Sequence, residues 1–134
     1  MGYIYRVFLI GIFCASAVLC FVATKSPLAQ PRNLVGGQLV CALIGVTVQC
    51  ILPHQLWLCS ALAVSVSIVA MQITKTMHPP GGATALIANI GSQKVKSLGF
   101  YYIISPVLTG ALILLLVAII VNNIPEDRNY PYRK

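Results

Sequence analysis

The chain has 134 residues, of which 58% are hydrophobic and only 8% are charged, whereas an ordinary soluble domain has about 25% charged residues. This composition argues against a soluble globular protein. The net charge of +7 comes from nine basic and two acidic residues, and the basic residues are scattered singly, so they form no stripe that would bind nucleic acid. Basic residues beside apolar runs are instead typical of membrane spans. The length predicts a single transmembrane domain, 1–134.

The first apolar run covers residues 7–24 and lies without charge between Arg6 and Lys25. As a helix it would extend about 27 Å, which is close to the thickness of a bilayer core. A signal peptide is the alternative, because Arg6 precedes an apolar run that contains Ala-Ser-Ala at 15–17. The membrane-like sequence that follows favours a membrane span.

A connector with two prolines, 25–33, precedes the second apolar run, 34–52. Because proline lacks a backbone donor and interrupts helices, we predict a structured connector here. In the second run Gly37, Cys41 and Gly45 are four residues apart and share one helix face. This stripe of small residues predicts close packing against another helix.

The third apolar run, 56–74, follows a link of only three residues, 53–55. Such a short link forces the third helix to return antiparallel to the second. The two runs therefore predict a helical hairpin. Trp57 lies near the start of the third run, at a position that suits the membrane interface.

A Pro-Pro-Gly-Gly break precedes a short apolar stretch, 82–91. Its length as a helix is about 15 Å, which is too short to cross a membrane. We therefore predict a short helix in a re-entrant loop or at the membrane interface. The last apolar run, 98–121, is long enough to span, and we expect Pro106 to kink it. The polar tail, 122–134, ends the membrane region.

Four spans place both termini on the same side of the membrane. In that arrangement four basic residues lie on the side of the termini and five on the other side. If Arg32 and Lys75 have a function and do not set the topology, the count on the side away from the termini falls from five to three. The preference of basic residues for the cytoplasmic side then favours cytoplasmic termini.

The residues form no recognisable catalytic set. The only carboxylates, Glu126 and Asp127, are adjacent in the polar tail, so we expect no catalytic residues and no enzyme. The only imidazoles, His54 and His78, lie on loops expected at opposite sides of the membrane, so we predict no metal site and no cofactor. The cysteines lie in apolar runs without C-x-x-C spacing, and we interpret them as packing residues. They are Cys14, Cys20, Cys41, Cys50 and Cys59.

Two segments share one pattern, in which proline and a basic or titratable residue precede Gly-Gly near the start of a helix. Helix starts expose unpaired N–H groups and the positive end of the dipole. Glycine would let a small anion approach the backbone amides directly. The pattern therefore predicts an anion site between the helices. Its candidate residues are Arg32, Asn33, Gly36, Gly37, His78, Pro79, Pro80, Gly81 and Gly82.

Each polar candidate has an expected role. Arg32 would supply a fixed charge, Asn33 would donate a hydrogen bond or cap the second helix, and His78 would add a donor whose charge depends on pH. The two prolines would hold the break open by forbidding a continuous helix. In the alternative interpretation the Pro-Gly pairs are ordinary helix punctuation, and Arg32 and Lys75 anchor to lipid phosphate.

The strings HPPGGATAL, from His78, and SPLAQPRN, from Ser26, resemble the signatures of the HPP family of integral membrane proteins. Ala-Ser-Ala at 15–17 resembles part of that family's first helix, and Asn-Asn at 122–123 resembles its C-terminal end. The resemblance implies four transmembrane helices. Plant and algal members are associated with nitrite transport across the chloroplast envelope, which implies a small anion as substrate. The chain is similar to bacterial membrane units of the family, which implies a bacterial plasma membrane.

We therefore predict an all-α membrane protein of about four transmembrane helices that transports or conducts a small inorganic anion such as nitrite. The alternative is a membrane scaffold or regulatory subunit that transports nothing. A membrane enzyme has the least support. We expect membrane lipid and a small anion as partners, and no nucleic acid. Because four spans enclose little volume, we also expect a homo-oligomer.

Overall fold

A helix lies in each predicted apolar run, and its bounds differ from the predicted ones by up to five residues. The computed structural model describes residues 2–132, with side chains from residue 10 onward. It contains α1 (Gly2–Val22), a 3-10 turn (Pro27–Ala29), α2 (Pro31–Ile51), α3 (Leu56–Ile73), α4 (Pro80–Ile90), α5 (Gln93–Lys96), a kinked segment (Ile103–Leu108) and α6 (Thr109–Asn122). No strand occurs among these residues. The prediction of an all-helical fold is confirmed.

Three helices are long and apolar enough to cross a membrane, and they are α2, α3 and the segment Ile103–Asn122. A shorter apolar helix, Ile10–Val22, accompanies them within α1. This agrees with the expected number of about four membrane helices. The last of them is interrupted at Ser105, whose φ of −136° and ψ of 121° are not helical. The following residue, Pro106, cannot continue the helical hydrogen bonds, so the predicted kink is confirmed.

Two helices start earlier than predicted because proline occupies their first position. α2 begins at Pro31 rather than at residue 34, and α4 begins at Pro80 rather than at residue 82. Proline is favourable there, since the first residues of a helix have no intrahelical partner for an N–H group. The connector before α2 is structured as predicted, because the Ser26 hydroxyl accepts a hydrogen bond of 3.2 Å from the amide of Leu28.

The short helix α4 lies inside the bundle, between α2 and α3, rather than on the membrane surface. Glycine allows this close approach, because a Cβ atom at Gly45 would lie 2.7 Å from the Cα of Ala85. Closer to the start of each helix, a Cβ atom at Gly81 would lie 2.8 Å from the Sγ of Cys41. The order of these two contacts makes α4 parallel to α2. The predicted small-residue face of α2 is therefore the surface that receives α4.

The direction of α4 corrects the expectation that both termini lie on one side. Because α4 is parallel to α2, it takes the chain away from the end where α3 finishes, and α6 brings it back. The side-chain amide of Asn122, the last residue of α6, donates to the carbonyl of Cys20 near the end of α1 (3.1 Å). The start of α1 and the end of α6 therefore lie at opposite ends of the bundle. We name the end that holds the 23–30 connector and the 74–79 connector the connector end, and the other the far end.

Candidate functional site

The two proline-glycine segments pack against each other, although about forty residues separate them in the sequence. A Cβ atom at Gly37 would lie 2.6 Å from the Cβ of His78 and 2.7 Å from the carbonyl oxygen of Thr76. A Cβ atom at Gly36 would lie 2.8 Å from the Cγ2 of Thr76. The expectation that the two segments belong to one region of the molecule thus agrees with the structure. The absence of side chains at these glycines is what permits the contact.

The glycines of the second segment also serve packing. A Cβ atom at Gly81 would lie 2.8 Å from the Sγ of Cys41, whereas one at Gly82 would meet only the Cγ1 of Val64, at 3.8 Å. The amides of Gly81 and Gly82 donate to the carbonyls of His78 (2.8 Å) and Pro79 (3.1 Å). These two amides already have partners, so they are not the open anion cradle that the pattern predicts.

The polar residues of the first segment remain at the connector end. Arg32 is exposed, and its guanidinium donates to the carbonyl of Thr74 (3.3 Å). Asn33 is half-buried, and its amide donates to the carbonyl of Met77 (2.9 Å). Both side chains hold the connector that follows α3. Arg32 therefore supplies its charge at the rim of the bundle, outside its interior.

The prolines of the second segment divide the connector from α4. Pro79 is exposed and Pro80, the first residue of α4, is half-buried. Neither ring lies among the buried polar side chains. Their role in the structure is to fix where α4 begins, and thereby where the preceding histidine points.

His78 is fully buried and bonds to two other parts of the chain. Its Nδ1 lies 3.0 Å from the carbonyl of Leu28 in the first connector, and its Nε2 lies 2.9 Å from the hydroxyl of Ser16 in α1. The Ser16 hydroxyl also accepts a hydrogen bond of 3.1 Å from the amide of Gln38 in α2. The hydroxyl of Thr84 in α4 donates to the Gln38 carbonyl oxygen. Three helices and the two connectors at the connector end therefore share one chain of hydrogen bonds.

The partners in this chain determine the proton positions. The Leu28 carbonyl can only accept, so the proton of His78 is on Nδ1. In a neutral imidazole Nε2 is then an acceptor, and the Ser16 hydroxyl donates to it. Ser16 is thereby free to accept from Gln38. The network, defined as His78, Ser16, Gln38 and Thr84, is satisfied with a neutral histidine.

Burial also favours the neutral form of His78. Desolvation lowers the pKa of His78 from its ordinary value, and the hydrogen bond to Leu28 offsets part of that effect. A protonated imidazole would carry a second N–H directed at Ser16. The Ser16 oxygen would then receive two donors, and its own proton would need a new acceptor. The network therefore favours the neutral form of His78.

Two further groups fix the middle and the end of α4. Tyr102 is buried, and its hydroxyl donates to the backbone carbonyl of Thr84 (3.1 Å). Asn89, in the last turn of α4, donates to the carbonyls of Gly45 (3.2 Å) and Ala85 (2.8 Å), and the Cys59 thiol donates to its carbonyl oxygen (2.5 Å). α4 is therefore anchored by polar bonds from His78 at its start to Asn89 at its end.

Sequence reasoning found one member of the network, His78, and missed Ser16, Gln38 and Thr84. The signal available was that each is a polar side chain within an apolar run, and such residues in membrane helices usually face the bundle interior. In the described side chains, from residue 10 to residue 132, His, Cys, Asp and Glu form no group of three or more that could hold a metal ion. Of the cysteines, which all have free thiols, Cys20, Cys41 and Cys59 are buried as packing residues, and the other two are exposed.

The sequence comparisons identify the family. The model of the HPP transmembrane region matches residues 3–131, nearly the whole chain. The chain belongs to the HPP transmembrane family. His78, Pro79 and Pro80 carry the motif that names it, so the buried histidine of the network is the first residue of the family motif.

Two transmembrane proteins of Dictyostelium discoideum are similar to this HPP chain. One is 52% identical over 128 residues, which cover 93% of the chain and 41% of the relative. The other is 50% identical over 126 residues, which cover 92% of the chain and 44% of the relative. The chain thus spans less than half the length of these relatives. Since both come from Dictyostelium, they give no support to the expected bacterial plasma membrane. No solved structure matches the chain.

Proposed function

We propose that this HPP protein moves a small inorganic anion across the membrane, with nitrite as the first candidate because of the family resemblance. The observation that carries the proposal is the network of buried polar side chains on three neighbouring helices. Polar groups are costly inside a membrane bundle and commonly mark the pathway of a polar solute. Hydroxyl and amide groups are the donors that a partly dehydrated anion needs in place of water.

The charge distribution supports an anion rather than a cation. Among the described cationic side chains, the connector end holds Lys25, Arg32, Lys75 and Arg128. The only carboxylate side chains of the sequence, Glu126 and Asp127, follow α6 at the same end, where these four basic residues outnumber them. A cationic surface raises the local concentration of anions. The connector end would therefore serve as the attracting entrance.

Transport would require the network to exchange its internal bonds for bonds to the anion. The amide of Gln38 and the hydroxyl of Thr84 are donors that could turn towards an ion passing between α2 and α4. His78 would stay neutral and keep Ser16 oriented. Loss of either donor should then reduce flux more than it reduces stability, because the donor acts on the moving ion.

The test is uptake of nitrite by proteoliposomes that contain the purified chain, with nitrate, formate and chloride as competing anions. We expect saturable uptake that falls at least about tenfold in Gln38→Leu and Thr84→Val, since each removes a donor from the path. Thr47→Val is the matched control, because the Thr47 hydroxyl bonds to the Leu43 carbonyl of its own helix (2.7 Å). Size-exclusion profiles and helical circular dichroism establish that each variant is folded.

The alternative function is a scaffold or regulatory subunit that moves no solute. It is favoured by the packing role of the glycines, since the amides of Gly81 and Gly82 are already bonded. In that case folded protein in either orientation would carry none of the tested anions. Gln38→Leu would then change only stability or partner binding.

We also propose a homo-oligomer. Within one chain, only 22% of the apolar stretch of α3 is buried, and only 17% of the apolar stretch of Ile103–Asn122 is buried. Much helix surface is therefore free to contact lipid or a second copy. Light scattering of the protein in mild detergent should give a defined multiple of the chain mass. A stable monomer with full uptake would contradict the proposal.

The helix directions and the basic residues support one orientation of the chain in the membrane. The connector end carries four described basic side chains, against two, Lys94 and Lys96, at the far end. Basic residues prefer the cytoplasmic side, so we propose that the connector end faces the cytoplasm. In a variant without the native cysteines, a thiol from Glu126→Cys should react with an impermeant maleimide only after the membrane is opened. A thiol from His54→Cys should react in intact cells.

A further inference from the structure

An apolar cleft of about 460 Å³ runs between α3 and α4, within the range of about 300–1,000 Å³ that ligand pockets occupy. Its lining side chains are not those of the polar network. Part of its wall faces outward, since Ile68 is 42% exposed. The lining side chains are hydrocarbon or thioether groups, which offer a polar ligand no strong donor. They include Val64, Ile68, Met71, Met77 and Leu86, with Gly82 between them.

The cleft is elongated in the direction of the helices. On α3 it extends from Val64 to Met71, a rise of about 10 Å along the helix axis. On the α4 side Gly82 leaves its floor open, because a Cβ atom there would meet only the Cγ1 of Val64, at 3.8 Å. A lipid chain in a bilayer runs in roughly the same direction as these helices. The shape and the lining therefore suit one acyl chain.

Two cationic residues lie at the connector end, beside the last residues of α3. Lys75 is exposed and has a positive φ of 55°, and it is the second residue after α3, between the lining residues Met71 and Met77 in the sequence. The guanidinium of Arg32 donates to the carbonyl of the neighbouring Thr74 (3.3 Å). That single hydrogen bond leaves most of its five donors for another acceptor.

The two carboxylate side chains lie at the same end of the bundle, in the tail after α6. The sequence has only two acidic residues, consecutive in the tail, and Asp127 shares a polar cleft with Lys25 and Arg128. Arg32 and Lys75 form no ion pair within the described part of the chain. A phosphate group held there would receive charge-assisted hydrogen bonds from arginine and the point charge of lysine.

We propose that this cleft binds an anionic phospholipid, with one acyl chain between α3 and α4 and the phosphate at Arg32 and Lys75. A zwitterionic lipid would bring a positive headgroup to the same two cations, so the site discriminates by charge. Each basic residue near an anionic lipid surface contributes about fivefold in affinity. The preference should weaken as salt increases, because the headgroup site is exposed.

The test measures binding of short-chain phosphatidylglycerol and phosphatidylcholine to the full chain in detergent by native mass spectrometry. We expect phosphatidylglycerol to bind at least about tenfold more tightly. The double variant Arg32→Gln/Lys75→Gln should lose that preference, while Lys94→Gln/Lys96→Gln, at the far end, should retain it. Inorganic phosphate should compete only weakly, since it lacks the acyl chain.

A second pair of variants tests the cleft itself. Gly82→Leu would fill the floor and should weaken both lipids by about tenfold or more. Gly11→Leu is the matched control, because Gly11 is exposed on α1 and a Cβ atom there would meet nothing within 4 Å. Equal affinity for the two lipids in the unmodified chain would overturn the proposal. A dimer that dissociates in Gly82→Leu, whether or not phosphatidylglycerol is present, would also overturn it. The occupant of the cleft would then be a second copy of the chain.

Discussion

The two proline-glycine segments look alike in sequence and differ in what the fold does with their polar residues. In the first, Arg32 and Asn33 stay at the connector end and bond to the backbone of the loop after α3. In the second, His78 is drawn completely into the bundle. The difference arises from what lies opposite each side chain. Arg32 meets a backbone carbonyl at the rim, whereas His78 finds a hydroxyl and a carbonyl inside.

The comparison also separates two uses of glycine. Gly37 and Gly81 are needed because another part of the chain occupies the space of a side chain, while Gly82 has ordinary space around it. The same Gly-Gly sequence therefore does not imply that both glycines are sterically required. The loss of stability from a substitution depends on what the glycine contacts, which is backbone, a flexible side chain or a cleft.

The largest expected effect is that of Gly37→Ala. The added methyl group would lie 2.7 Å from the Thr76 carbonyl oxygen and 2.6 Å from the His78 Cβ, and backbone atoms cannot yield cheaply. We expect a loss of about 3 kcal/mol in the free energy of unfolding, or failure to fold. Unfolding in mixed micelles with increasing dodecyl sulfate measures it. Gly82→Ala is the control and should change stability by less than about 1 kcal/mol. Equal tolerance of the two substitutions would mean that the segments do not touch.

The next effect is a dependence of stability on pH. Burial lowers the pKa of His78 from its ordinary value of 6.5, so the unfolded chain binds this proton more readily than the folded chain. The contribution of His78 is therefore complete above pH 6.5 and decreases as pH falls towards its folded-state pKa. We expect the free energy of unfolding to fall by up to about 1.4 kcal/mol for each pH unit over that range.

His78→Gln should remove this slope, since glutamine keeps a donor and an acceptor without titrating. His54→Gln is the matched control, because His54 lies exposed in the link between α2 and α3, and it should leave the slope unchanged. Thermal unfolding in detergent between pH 5 and 8 compares the variants. An identical slope in His78→Gln would exclude His78 as its source.

A smaller effect distinguishes the two polar residues of the first segment. Asn33→Ala removes a half-buried hydrogen bond of 2.9 Å to Met77 and should cost about 1 kcal/mol. Arg32→Ala removes an exposed bond of 3.3 Å to Thr74 and should cost less than about 0.5 kcal/mol. Unfolding of the two single variants and of the double variant measures both values. A larger loss for Arg32→Ala would assign it a structural role that its exposure does not predict.

The smallest expected effect is that of Lys75→Gly. Lys75 has a φ of 55° and follows the end of α3, where the amide of Thr76 donates to the Met71 carbonyl (3.0 Å). This is the position after a helix where glycine is usually found. Relief of the left-handed conformation should leave stability unchanged or raise it by less than about 0.5 kcal/mol. Lys75→Ala keeps the strained conformation and should not gain.

The sequence by itself determined the helices. Uncharged apolar runs of sufficient length predict the spans, and Pro106 predicts the kink, whereas Pro31 and Pro80 are expected to precede α2 and α4 and instead begin them. The stripe of Gly37, Cys41 and Gly45 also predicts a close neighbour for α2. These features are local, because helix length, periodicity and proline geometry depend on residues near one another in the chain.

Only the tertiary structure decided which neighbour α2 receives and which way the short helix runs. The residues 82–91 are equally compatible with a surface helix and with one buried between α2 and α3, since the composition is apolar in both cases. The partners of His78 likewise come from residues 16 and 28, which no spacing rule connects to it. Long-range contacts pair polar groups inside an apolar bundle because each pays a large desolvation cost if left alone. That pairing cannot be read along a single segment.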